Sequence, residues 1–160
     1  MNSKEEYVPE NYQTLNMVAS YKDTERAIEF YKKAFNAVEL SRFPNPKGKG
    51  IMHAELKIGE SAFMMGDESP ERKCFSAESL KGSPISFYLY TKDADALFDQ
   101  AIKAGGRSAM PMADMFWGDR CGTVVDPFGY SWTIATHVEN LSHEEIRKRG
   151  EQFLAAMPLV

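Results

Sequence analysis

Residues 22–36 read KDTERAIEFYKKAFN and residues 92–106 read KDADALFDQAIKAGG. A shift of 70 positions lays Lys92 on Lys22 and Asp93 on Asp23, then Phe98 on Ile28, Ala101 on Tyr31 and Ala104 on Ala34. Ala27, Ile28, Tyr31, Ala34 and Phe35 recur at helical spacing, as do Leu97, Phe98, Ala101 and Ile102. Each stretch therefore predicts an amphipathic helix with one buried stripe. Asp23 or Thr24 opens the first and Asp93 the second, where a short side-chain oxygen can satisfy a first-turn amide.

The flanks repeat as well. Strand-like LNMVAS (15–20) precedes the first helix and ISFYLY (85–90) the second. VELSRF (38–43), IMHAELKIG (51–59) and SAFMMG (61–66) follow the first; 107–115, GTVVDP (122–127) and YSWTIAT (130–136) follow the second. NPKGKG, IGES and DPFG mark turns between them; in the last, Pro127 fixes φ and Gly129 tolerates a positive one. The prediction is a single α+β domain over 1–160, built from two βαβββ modules at 12–66 and 84–138, each a curved mixed sheet. Residues 67–83, polar and rich in Ser, Glu and Lys, are expected to form a linker loop. A helix is expected over 141–158, opened by a Ser142–Glu145 capping box and a Leu141–Ile146 staple. Its Ile146, Phe153, Leu154 and Met157 are expected to dock on the body or on a second subunit.

Composition narrows the function classes. A hydrophobic content of 43% suits a globular core, and no apolar run approaches the roughly 20 residues of a membrane span. Net charge of −4 without a basic stripe argues against nucleic acid. The acidic start MNSKEEYVPENYQT resembles neither a signal nor a transit peptide, so a cytoplasmic setting is expected. The two cysteines, Cys74 and Cys121, form no CxxC pair, and Cys121 has no base near it in sequence.

Strand alternation assigns faces. Met52, Ala54, Leu56 and Ile58 are expected on the helix side of their strand, which turns His53, Glu55 and Lys57 outward. Ile85, Phe87, Leu89, Trp132 and Ile134 likewise point inward, leaving Ser86, Tyr88, Tyr90, Ser131, Thr133 and Ala135 outside. Such an outer face, with hydroxyls among aromatic and thioether side chains, suits a small-molecule cup better than bare contact with water. His53 and Glu55 are candidates for a general base with its orienting carboxylate; the alternative is a half-exposed polar pair. Arg120 is a candidate clamp for an anion and Trp117 a stacking surface, or else Asp119 and Arg120 pin a strand entry while Trp117 fills core.

Paired modules with KDTERAIEFYKKAF opening the first and DPFGYSW closing the second resemble the vicinal oxygen chelate superfamily. That superfamily includes glyoxalase I, extradiol dioxygenases and bleomycin-resistance proteins. FYKKAF, HAELKIGES, MMGDE and FWGDRCGTVVDPFGYSWTIATH are most similar to its PhnB-like, glyoxalase-like branch. The resemblance implies four ligand positions, on the first and last strands of each module, filled in metal-dependent members by His, Glu or another oxygen donor. Here they fall on Asn16, Met64, Ser86 and Thr133, none of them charged. Four neutral, weak donors suit a divalent ion poorly, so neither a metal nor another cofactor is expected.

The expected function is therefore a glyoxalase-like protein binding a small organic ligand, aromatic or anionic, through Asn16, Met64, Ser86, Tyr88, Tyr90, Trp117, Arg120 and Thr133. The alternative is a lyase, isomerase or dioxygenase-type enzyme using His53 and Glu55 or an atypical metal site. A third possibility is an association module working through the C-terminal helix. The resemblance implies a homodimer in each case.

Overall fold

The computed structural model describes residues 7–156. The first module runs β1 (Val18–Tyr21), α1 (Thr24–Phe35), β2 (Val38–Pro44), β3 (Ile51–Ile58) and β4 (Ser61–Asp67). After α2 (Ala77–Leu80), the second runs β5 (Ser86–Tyr90), α3 (Ala94–Lys103), β6 (Arg107–Asp114), β7 (Asp119–Val125) and β8 (Ser131–His137). Helix α4 (His143–Ala156) follows. The sheets have matching orders, β1-β4-β3-β2 and β5-β8-β7-β6, with the first pair of each parallel and the others antiparallel. The architecture is α+β, with two four-stranded mixed sheets and a C-terminal helix.

The helices of the two modules, α1 and α3, begin as their sequences require. Asp23 accepts from the Arg26 amide and Asp93 from the Ala96 amide, each at 3.0 Å. The two helices pack on each other, and Gln100 ties them together. Its Nε2 donates to the Lys33 carbonyl at 2.8 Å and to Asn36 Oδ1 at 2.9 Å, satisfying acceptors at the end of α1.

One core serves both modules. Trp132 stacks on Phe87 at 4.1 Å and meets Phe35 at 4.6 Å and Tyr31 at 5.2 Å, joining β8 and β5 to α1. Each such aromatic pair contributes about 0.5–1.5 kcal/mol beyond its area burial. Asp126, the first residue of the DPFG turn, sits in this core at 4% exposure. It accepts from the Tyr31 hydroxyl (2.6 Å), Trp132 Nε1 (2.9 Å) and the amides of Phe128 and Tyr130 (both 2.9 Å). Burial pushes its pKa up, and the four donors oppose that. Gly129 closes the turn at a φ of 91°, its amide donating to the Asp126 carbonyl.

Several expectations need correction. Within the linker 67–83 the chain makes two short helical turns, a 3₁₀ turn at Pro70–Arg72 and then α2. Glu68 organises them by accepting from the Ser76 amide at 2.8 Å and the Ser79 hydroxyl at 2.9 Å. β1 begins at Val18 rather than residue 15, because the Asn16 side chain bonds back to the Gln13 main chain and turns the chain there. β7 starts at Asp119, three residues earlier than expected, and pairs it with His137. Ala54 and Leu56 face the core as expected, but Met52 is exposed beside the irregular pairing of Phe43 and Pro44. In α4, the Glu145 amide donates to Ser142 Oγ at 3.1 Å, the expected cap. The helix docks through Gly150 and Phe153 on Phe116, while Leu154 stays exposed and Met157 lies outside the described residues.

Candidate functional site

Buried residues of both modules join in one core, and the outer face of each sheet is the one turned from it. Register places Val18, Met64, Glu55 and Ser41 in one row across the first outer face, with His53 and Phe43 in the next. His53 Nε2 lies 3.2 Å from Glu55 Oε1, and this contact holds the Glu55 carboxyl below its ordinary range. The chain before β1 covers part of this face. Lys57 Nζ donates to Asn11 Oδ1 at 3.1 Å, and the buried Tyr12 hydroxyl lies by Glu55. Burial and that carboxylate push the Tyr12 pKa up to about 12. A cavity of about 470 Å³ remains between residues 7–14 and the side of Lys57 and Glu60.

The second outer face is organised differently. Tyr88, Thr133 and Thr123 form one row; Tyr90, Ala135 and Cys121 form the next; Asp119 and His137 pair beyond them. Asp119 is only 2% exposed. Its Oδ2 accepts from the hydroxyls of Tyr88 (2.9 Å) and Tyr90 (2.8 Å) and from Trp117 Nε1 (3.1 Å). Its Oδ1 faces His137 Nδ1 at 2.8 Å, while His137 Nε2 faces Asn140 Oδ1 at 2.9 Å. Burial opposes ionisation of Asp119, but these donors outweigh it and lower the pKa. The same contact raises the pKa of His137. Tyr88 and Tyr90 keep 48% and 62% of their surface exposed, with ring centroids 5.1 Å apart and planes at 45°. Their rings cover Ala135 and Cys121, both fully buried, and burial pushes the Cys121 thiol up. An inert thiol results.

The expected site residues divide accordingly. Tyr88, Tyr90 and Trp117 converge on Asp119. Thr133 lies beside them, its hydroxyl 3.1 Å from that of Thr123. Arg120 does not join them: alternation puts it on the helix side, where Asp95 (2.6 Å) and Asp114 (3.2 Å) hold it. Arg120 sits near the entry of β7, where its register partner is Asp114. The four positions implied by the resemblance do not form matched pairs. The strand neighbour of Met64 is Val18 rather than Asn16, and that of Thr133 is Tyr88 rather than Ser86. Asn16 is engaged with Gln13, and Ser86 lines a cleft of about 1020 Å³ between the modules with Phe63, Phe87 and Trp132. Among the described residues, no group of three or more His, Cys, Asp or Glu side chains is placed to share a metal ion. His137 and Tyr12 escaped the sequence reading. His137 continues the outward alternation one step past the expected end of β8, whereas nothing local marks Tyr12.

The profile of the family described as Glyoxalase/Bleomycin resistance protein/Dioxygenase superfamily matches residues 14–134, both modules together. The chain belongs to this superfamily. An uncharacterised protein of Mycobacterium tuberculosis H37Rv is 41% identical over 128 residues, 78% of this chain and 75% of that one. An Arabidopsis thaliana protein is 35% identical over 116 residues, 68% of this chain and 69% of that one. Among solved structures, an Arabidopsis thaliana gene product aligns with a TM-score of 0.62 and 29% identity, over 78% of this chain and 98% of that one. TioX from a Micromonospora species aligns at 0.60 and 23% identity, over 81% of this chain and 100% of its own, and shows the fold alone. The PhnB protein of Bacillus cereus does so at 0.59 and 18%, over 78% of this chain and 98% of its own. Among the described residues, no helix is long and apolar enough to cross a membrane.

Proposed function

We propose that this superfamily member binds a small organic molecule on the outer face of its second sheet, without the divalent ion used by metal-dependent members. The donor set supports this reading most. Asn16, Met64, Ser86 and Thr133, with the parallel-strand neighbours Val18 and Tyr88, offer no carboxylate, imidazole or thiolate, and Glu55, across from Met64, is engaged by His53. A divalent ion that gives up its water needs such donors, so the residues do not fit one. What the face offers instead is exposed aromatic surface ringed by hydroxyls, the lining of an organic ligand site. Tyr88 and Tyr90 also border the cleft between the modules, and in the homodimer that the resemblance implies a second copy supplies a further wall.

Calorimetric titration with zinc, nickel and manganese, with elemental analysis of the purified protein, tests the metal-free reading. No stoichiometric binding is expected; one tightly held ion per module would overturn it. Sedimentation at several concentrations reads the dimer.

A second reading rests on His53 and Glu55. An imidazole oriented by a carboxylate 3.2 Å away is a general-base arrangement, suited to a lyase, isomerase or dioxygenase-type reaction on a small oxygenated substrate. Full turnover by a His53→Ala variant on any substrate found would remove that role.

A further inference from the structure

We infer that the notch formed by Tyr88, Tyr90 and Trp117 over Asp119 selects a small organic cation; this rests on the second outer face being the ligand seat. Three aromatic side chains turn their polar ends to one carboxylate oxygen, at 2.9, 2.8 and 3.1 Å. The carboxylate is withdrawn from water at 2% exposure, yet the rings in front of it remain open to the solvent side. Such a group presents π-faces and phenol lone pairs while a fixed negative charge lies just behind them. A phenol or indole face attracts a cation through its quadrupole, and weak local screening lets the buried carboxylate reinforce that attraction.

The charges around the notch agree. The titratable groups facing it are Tyr88 and Tyr90 from β5, Asp119 and Cys121 from β7 and His137 from β8. Arg120, the expected anion clamp, is turned to the helix side and held by Asp95 and Asp114. His137 is the one basic group among those five, and it lies on the far oxygen of Asp119. An anion would thus meet a carboxylate with no opposing clamp, and a neutral molecule would gain nothing from the charge.

Tetramethylammonium, tert-butanol and pivalate carry positive, zero and negative charge on nearly the same compact shape. Each is titrated into the full chain at about pH 9, above the ordinary imidazole range, while the tyrosine ring resonances are followed by NMR. The cation is expected to bind at least about tenfold tighter than the alcohol, and the anion weakest. Tyr90→Leu should bring the cation-to-alcohol ratio close to one, Tyr90→Phe should restore most of it by restoring the ring, and Arg120→Ala should leave it unchanged. Equal affinities, or a preference for pivalate, with shifts still centred on Tyr88 and Tyr90 would overturn the cation inference and leave the seat standing. No shift at either tyrosine with any of the three would overturn both.

Discussion

Asp119 and Asp126 lie seven positions apart, on either side of one strand, and each accepts hydrogen bonds from four donors. Asp126 takes its donors from the DPFG turn, from Trp132 and, across the module boundary, from Tyr31. It is enclosed on all sides, and burial raises its pKa. Asp119 takes its donors from side chains whose rings face outward, and those donors lower its pKa. The same chemical group serves as a lock on the inner face and as an organiser of exposed aromatic surface on the outer one. What differs is the destination of the side chains that donate to it.

The comparison can be broken most forcefully at Asp126. Asp126→Ala leaves the Tyr31 hydroxyl, the Trp132 indole and two amides without an acceptor in the core. A loss of about 3–5 kcal/mol is expected in chemical denaturation, with both modules unfolding together. A variant that lost less than about 1 kcal/mol would show that the lock carries little.

Asp119→Asn should cost less, about 1–3 kcal/mol, because the donors freed from the carboxylate sit nearer to water. Its pH signature is more telling. The native Asp119 pKa lies below the ordinary carboxylate value of the unfolded chain. Its contribution is therefore complete above that value and lost as pH falls through the native one. The variant should show a flatter acid limb in stability against pH. His137 has the opposite sense. Its raised pKa gives a contribution present below the ordinary imidazole range and lost as pH rises through the native value, so Asp119→Asn should also flatten that decline. Curves that superimpose with those of the parent would deny the pair any role in stability.

The smallest effect is expected at Arg120. Its partners Asp95 and Asp114 are exposed, and a solvated ion pair is largely screened. Arg120→Ala should shift the denaturation midpoint less than either aspartate variant. A larger change would place Arg120 closer to the outer face than the register of β7 allows.

Much of the fold was legible because it rests on local rules. Helical spacing, Asp caps at positions 23 and 93 and turn residues at DPFG are each encoded within a few neighbouring positions. The outward placement of Tyr88, Tyr90, Thr133, His53 and Glu55 followed from alternation alone. Several misreadings involve partners that a linear chain does not connect. The polar run 67–83 looked like a loop because Glu68 finds the Ser76 amide and Ser79 hydroxyl only once α2 has formed. Arg120 was open to two readings, clamp or strand-entry pin, because its partner Asp95 lies 25 residues away, at the start of α3. The surroundings of Asp119 were not legible because four donors from β5, β8 and the turn at Trp117 cannot be counted from a linear chain.

The amino-acid sequence by itself determined the duplicated βαβββ plan, the faces of the strands and the neutral character of the four side chains that the resemblance singles out. The plan and the faces depend on residue type and on periods of two and 3.6, which need no knowledge of distant contacts. Only the tertiary structure decided that two aspartates of nearly the same strand have opposite environments, and that the modules share one core. Burial and hydrogen-bond geometry are properties of the assembled surroundings of a side chain, and packing sets those surroundings.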